Sequence, residues 1–103
     1  MVHELKIKTK YFKAVKEGEK AFEVRKDDRG FLVGDYLALN EIDENGKYTG
    51  NALIVEVTYI LREPDFCKDG FAIMSISPCR LLNKHDFDAG GFGKWLLTQE
   101  EVK

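Results

Sequence analysis

Residues 43–46, Asp-Glu-Asn-Gly, stand between two runs that each read as a strand, and this hairpin signal constrains the fold more than any other stretch. Asn-Gly tolerates the positive φ angles that a tight turn between antiparallel strands demands. The incoming run is Tyr36 to Ile42. The return run, Gly50 to Leu61, is long and rich in Val, Ile, Thr and Tyr, which suit a pleated, half-buried surface. Its odd positions, Leu53, Val55, Val57, Tyr59 and Leu61, are expected to face the core, with Glu56 and Thr58 on the other side.

The rest of the chain supplies partners for that hairpin. Leu5 to Lys8 alternates and reads as a short first strand. Thr9 to Glu17 predicts a short helix with Tyr11, Phe12, Ala14 and Val15 on its apolar stripe, Thr9 as its N-cap and Gly18 as its stop. Ala21 to Arg25 alternates again. Phe22 and Val24 are expected to face the core there, with Glu23 and Arg25 on the opposite face. Residues 26–34 read as a loop, as do residues 62–70 around Pro64. Phe71 to Ser77 is the last clear strand, and Pro78 is expected to end it or to mark an edge. Beyond it the glycines of 90–93 are loop chemistry, and Trp95 to Leu97 suits a short helix or an ordered tail. The expected class is α+β, mainly β: a small, strongly curved, mostly antiparallel barrel with one or two short helices. Residues 1–83 form the domain and residues 84–103 a C-terminal extension.

A chain of 103 residues is one domain, and 44% hydrophobic with 33% charged residues is a globular composition. No apolar run approaches the ~20 residues of a membrane-spanning helix, and the N-terminus lacks the apolar core of a signal peptide. A cytoplasmic monomer is the expectation. Cys67 and Cys79, with His3 and His85, complete no zinc spacing, so free thiols and no metal or cofactor are expected. Gly90, Gly91 and Gly93 do not follow a strand as a dinucleotide-binding loop requires, and neither histidine stands in a catalytic context. The net charge of −2 is uneven: residues 6–29 hold nine basic side chains against five acidic ones. Such a patch suits a polyanion, or is simply the lysine-rich outer face of a helix.

Inside the basic third lies G-x-K-x-x-E-x-R, with Gly18, Lys20, Glu23 and Arg25 at the end of one element and the start of the next. Taken alone, it is a solvated strand face carrying a surface ion pair that contributes about 0–1 kcal/mol. Three further segments, Val33 to Asp35, Tyr48 to Gly50 and Val57 to Tyr59, fall in register with it. Together with His3 to Ile7, Tyr11, Phe12, Asp28, Arg29 and Phe31, the pattern resembles the ASCH domain family of the PUA-like superfamily, and within it most closely the DUF3850 branch of bacteria and phages. The resemblance runs from residue 3 to about residue 78.

It implies a PUA-like β-barrel whose motif residues line a cleft between helix and barrel. By that resemblance Lys20, Glu23 and Arg25 are the site residues. From its place in the following loop Arg29 is expected to extend the basic rim, and Tyr48, at the exposed hairpin tip, is the expected stacking platform. Tyr11, Tyr59 and Phe66 are further aromatic candidates, and Asp35 is expected to cap a turn. Lysine and arginine can hold a phosphate, and a glutamate between them can accept from a base amino group. The implied partner is RNA or a modified nucleoside. The structural alternative has Glu23 and Arg25 pinning their strand to the 26–35 loop.

One branch of the family hydrolyses N4-acylated cytidines. It pairs a lysine at the position of Lys20 with a threonine, where this chain has Glu23, and with an acid from an inserted segment. Here that segment is a short loop with Glu63, Asp65 and Asp69 as unaligned candidates. If the chain were an enzyme, Lys20 and Glu23 would carry the chemistry, but an ion-paired lysine is a poor nucleophile. Nucleic-acid or nucleotide binding is therefore the first expectation, ahead of amide hydrolysis and of a protein-interaction module.

Overall fold

A computed structural model describes residues 1–82. The elements run β1 (Val2–Lys8), α1 (Thr9–Lys16), β2 (Phe22–Lys26), β3 (Tyr36–Ile42), β4 (Tyr48–Leu61) and β5 (Phe71–Leu82). The strands form one sheet in the order β1-β3-β4-β5-β2. Among the described residues the chain is mainly β with one short helix, and the sheet curls into a half-barrel, in keeping with the expected class. The expected extension, residues 84–103 with Trp95 to Leu97, lies outside the described residues.

The hairpin forms where Asn45 and Gly46 place it. Gly46 takes φ +79°, and the Asp43 carboxylate accepts the backbone N–H groups of Asn45 and Lys47, both at 2.9 Å. β3–β4, β4–β5 and β2–β5 are antiparallel, and among the described residues β1–β3 is the one parallel pair. That pair follows from the order of elements: α1 and β2 intervene, so β1 returns to β3 by a long crossover rather than a tight turn.

The main core lies on one face of the curl. It is built from Leu5 and Ile7 of β1, Leu37 and Leu39 of β3, Leu53, Val55 and Val57 of β4, and Ala72, Met74 and Ile76 of β5. In α1, Phe12 and Val15 stand three residues apart on one side and join this cluster. The loop after β2 adds Phe31, which is fully buried and meets the His3 ring edge-on at 4.7 Å. On the opposite face Ala38, Ala52 and Ile54 form a smaller cluster, against which Val2 and Tyr36 pack.

Several expectations give way. Thr9 is the first residue of α1, not its cap; Lys8 holds the N-cap position without a side-chain bond. The Thr9 hydroxyl instead donates to the Ile42 carbonyl at 3.1 Å, tying the helix start to the end of β3. Gly18, at φ +80°, ends the helix as expected, and the N–H groups of Gly18, Glu19 and Lys20 fold back on the Val15 and Ala14 carbonyls. In β4 the alternation holds to Val57, then a register shift before Tyr59 turns Tyr59 outward and sets Ile60 against the core. β5 does not stop at Pro78. Pro78 pairs with Val55 and Arg80 with Ile54, so Cys79 is the extra residue of a bulge that lets the strand continue.

The largest reversal is in β2. Phe22 and Val24 are about half exposed, while Glu23 is buried and Arg25 partly so. The register explains it: Glu23 sits opposite Met74 and Arg25 opposite Ala72, two core residues of β5. Cross-strand partners share a face, so the charged pair points into the curl and the apolar pair away from it.

Candidate functional site

The site begins with what the sheet leaves open. Among the described residues β1 and β2 are its two edges, and edge strands carry unpaired backbone groups. Two arginines cover part of the β1 edge. Arg25 Nη2 donates to the Lys6 carbonyl at 2.9 Å, and Arg29 Nη1 donates to the Glu4 carbonyl at 3.0 Å. Residues 4 and 6 alternate in phase, so both carbonyls point to the same side of the strand. Arginine suits this task because its planar fork can grip two acceptors at once. Arg25 does so: its Nε also donates to Glu23 Oε2 at 2.9 Å.

Glu23 is the centre of the arrangement. Its second oxygen, Oε1, accepts from Lys20 Nζ at 2.5 Å. The lysine reaches it because the backbone leaves α1 through Gly18 and enters β2 two residues after Lys20. Lys20 Nζ also donates to the Phe22 carbonyl and lies 4.8 Å from the Phe22 ring centroid and 5.8 Å from that of Tyr11. The Glu23 carboxylate is 4% exposed, whereas the side chains of Lys20 and Arg25 are 17% and 23% exposed. One sealed anion therefore holds two cations that still reach solvent. The expected alternative, in which this pair pins β2 to the following loop, is not what the geometry shows: Arg25 ties β2 to β1.

The cations open onto a groove of about 450 Å3 along the seam, lined by Lys6, Ile7, Lys8, Tyr11, Phe22 and Val24 besides the three motif residues. A larger cleft of about 610 Å3 adjoins it and contains Arg29 and Tyr48. Lys6 and Arg25 line both. The structure thus places all five expected site residues around one strand edge, three in the groove, two in the neighbouring cleft, with Arg25 common to both. Tyr59 and Phe66 are exposed but line neither cleft, and Tyr11 lines the groove.

Sequence reasoning missed two buried carboxylates. Asp35 caps its turn as expected, accepting the Leu32 N–H at 2.9 Å, but it also pairs with His3 Nε2 at 2.8 Å and with the Met1 amino group at 3.0 Å. Burial pushes the Asp35 carboxyl up. The bonds from His3, Leu32 and the amino group, with the charge of the last, outweigh it and leave the group below its ordinary value. Glu41, the other, accepts from Thr49 Oγ1 at 2.6 Å and Asn51 Nδ2 at 3.2 Å. The turn marks Asp35 in the sequence but not its pairing with His3 and the amino group, and Glu41 has no short motif; these partners meet only once the strands are in register. Asp27 and Arg62 bridge the two loops at 2.5 Å, and Arg62 also donates to the Phe31 carbonyl, which holds the buried phenyl ring in place. Hydrogen bonding to Asp27 raises the Arg62 guanidinium further above its ordinary value, against the opposing effect of burial.

Among the described residues that line the groove there is no Ser, Thr, Cys or His, and none of Glu63, Asp65 and Asp69 lines either cleft. Among the described residues no three His, Cys, Asp or Glu side chains gather as a metal site would need. Cys67 is a buried free thiol and Cys79 an exposed one. No helix among the described residues is long and apolar enough to cross a membrane.

Residues 2–76 match the family described as Domain of unknown function (DUF3850), and the chain belongs to that family. A relative from Escherichia phage P2, described as an uncharacterized 12.9 kDa protein in GpA 3'region, is similar to it, with 38% identity over 68 residues. That match covers 66% of this chain and 62% of the relative, so the chain spans about three-fifths of the length of the curated relative it matches.

Proposed function

We propose that this chain is an ASCH-type, PUA-like domain that binds RNA or a nucleotide in the groove between β1, β2 and α1. The observation that carries the reading is the engagement of Glu23 by two cations at once. A lysine ammonium has three donors and an arginine guanidinium five. Lys20 uses two on Glu23 and the Phe22 carbonyl, and Arg25 uses two on Glu23 and the Lys6 carbonyl. The remaining donors are held in fixed positions beside a groove rimmed by Tyr11 and Phe22. Fixed donors on a net positive centre, next to aromatic faces, suit a phosphate with a base stacked beside it.

Glu23 then acts through its neighbours. With both oxygens occupied it is a positioning residue, and the sequence-based role of accepting from a base amino group passes to other atoms. The basic excess of residues 6–29 adds a field that favours an anion, through Lys6 and Lys8 in the groove wall. Nothing in the groove favours the hydrolase reading, which would need an activated hydroxyl or water at the position of Glu23.

The test is fluorescence anisotropy with short single-stranded RNAs of several sequences at low salt. If about three phosphates are neutralised, log K falls against log[salt] with a slope of roughly −2. Lys20→Ala and Arg25→Ala weaken every sequence alike, because phosphate contacts carry no sequence information. Absence of binding by all the RNAs at low salt would overturn the proposal.

A further inference from the structure

The groove uses one flank of β1, while the larger cleft occupies the other. Glu4, Lys6 and Asn40 line that cleft beside Leu5; Lys6 alternates with the core residues Leu5 and Ile7, and Asn40 shares its face with Ala52 of the smaller cluster, opposite Leu39 of the main core. It therefore lies over the face of the sheet turned away from the core. Its walls combine three kinds of group. Tyr48 offers an aromatic ring that is 63% exposed, with Lys6 Nζ 5.7 Å from its centroid. Asn40 donates from Nδ2 to the Ala38 carbonyl at 3.3 Å, which leaves its Oδ1 as an acceptor. Arg25 and Arg29 reach in from the β1 edge, anchored on carbonyls two residues apart, a spacing of about 6.6 Å along a strand. Gly50, at φ +96°, also lines the cleft.

We infer that this cleft is a second nucleotide subsite, and that the ligand is a single-stranded oligoribonucleotide of at least two nucleotides straddling the edge of β1. The inference rests on the nucleic-acid reading of the groove and deepens it. One base stacks on Tyr48, with Asn40 at its polar edge. The other lies in the groove by Tyr11 and Phe22. The phosphodiester between them runs along the row of Arg25 and Arg29. Arg25 is common to both subsites, which makes it the point where the backbone crosses the strand. A strand edge set between two bases forces them apart. A single strand gives up its own stacking readily for two aromatic surfaces, whereas a duplex must first melt. A single nucleoside fills only one subsite.

The experiment compares a 5′-phosphorylated mononucleotide, dinucleotide and hexanucleotide RNA on the full chain by NMR titration. The dinucleotide is expected to bind at least tenfold more tightly than the mononucleotide, within the range that one aromatic–base stack contributes. Tyr48→Ala collapses that ratio to near one, and Tyr48→Phe, which keeps the ring, preserves it. The ring stands in solvent at the start of β4, so the variant's fold is checked by its unchanged backbone spectrum. Equal affinities for one and two nucleotides, or a ratio indifferent to Tyr48→Ala while Lys20→Ala still weakens binding, overturns the second subsite and leaves the groove reading standing. No binding of any nucleotide, or binding of an extended peptide in their place, overturns both.

Discussion

Replacing Glu23 by alanine tests the arrangement at its centre. The carboxylate is buried and accepts two charge-assisted hydrogen bonds, at 2.5 Å from Lys20 and 2.9 Å from Arg25. Each such bond contributes about 1.5–3 kcal/mol, so the gross loss is about 3–6 kcal/mol. The two cations are partly exposed, at 17% and 23%, and recover some hydration once released. That offsets about a third of the loss and leaves about 2–4 kcal/mol, the low side of the cost of breaking a buried pair. For a domain of this size the shift in melting temperature is on the order of 10–20 °C. The assay is urea denaturation of wild type, Glu23→Ala, Lys20→Ala and the double variant. The midpoint should fall at constant slope, and the cycle should return a coupling well above that of a surface pair. Glu23→Gln keeps the shape and one acceptor and should lose about half as much. A loss in Glu23→Ala below about 0.5 kcal/mol, the range of a solvated ion pair, would falsify the sealed anchor and the positioning role with it.

The reversal of β2 gives a second prediction. Phe22→Ala, at a half-exposed ring, should cost about 1 kcal/mol, whereas Met74→Ala, opposite Glu23 in the core, should cost about 2–5 kcal/mol by chemical denaturation. The inverse ranking would restore the face expected from the sequence. Asp35 gives a third, in pH. Its carboxyl is depressed in the folded chain, so its stabilising contribution is complete above the unfolded value near 3.9 and is lost as pH falls through the lower folded value. The stability gap between wild type and Asp35→Asn should therefore be full at pH 6 and shrink below about pH 4; a gap independent of pH would dismiss the ion-paired Asp35.

Local chemistry made much of the fold legible. Asn45-Gly46 placed the hairpin, Gly18 ended the helix and the 3.6-residue period placed Phe12 and Val15 inward, because each of these signals is settled within a few residues of itself. The failures are non-local. Tyr59 and Cys79 depend on bulges, which appear only when one strand's count is compared with its neighbour's. The face of β2 depends on what lies across the open seam. Alternation says that Phe22 and Val24 share a face but not which face is inside; binary patterning favours the apolar one, and here the acceptors on β1 and the core partners on β5 decide otherwise. The motif residues are named through the family resemblance, since their spacing alone reads as a solvated strand face. The larger cleft could not be named from the sequence, since Lys6 and Asn40 meet through the β1–β3 pairing, Tyr48 joins them through β3–β4, and Arg25 through its bond to the Lys6 carbonyl.

That seam links folding to the proposed binding. An open curl exposes two edges that invite another chain to pair with them. Here the edge of β1 is partly occupied by the Arg25 and Arg29 guanidiniums, and a charged pair points inward from β2, both devices that discourage strand addition. The same groups furnish the donors of the groove and the cleft. A loss of RNA affinity in Arg25→Ala therefore has two origins, a missing phosphate contact and a loosened edge. Arg25→Lys separates them. Lysine keeps the charge but lacks the planar fork, so it cannot hold Glu23 and the Lys6 carbonyl in the same geometry. If affinity depends on charge alone, Arg25→Lys binds as wild type does; if it depends on the seam being held in register, Arg25→Lys binds as weakly as Arg25→Ala. The fork on two acceptors favours the second outcome, since the guanidinium that meets the phosphate is placed by the bonds that close the sheet.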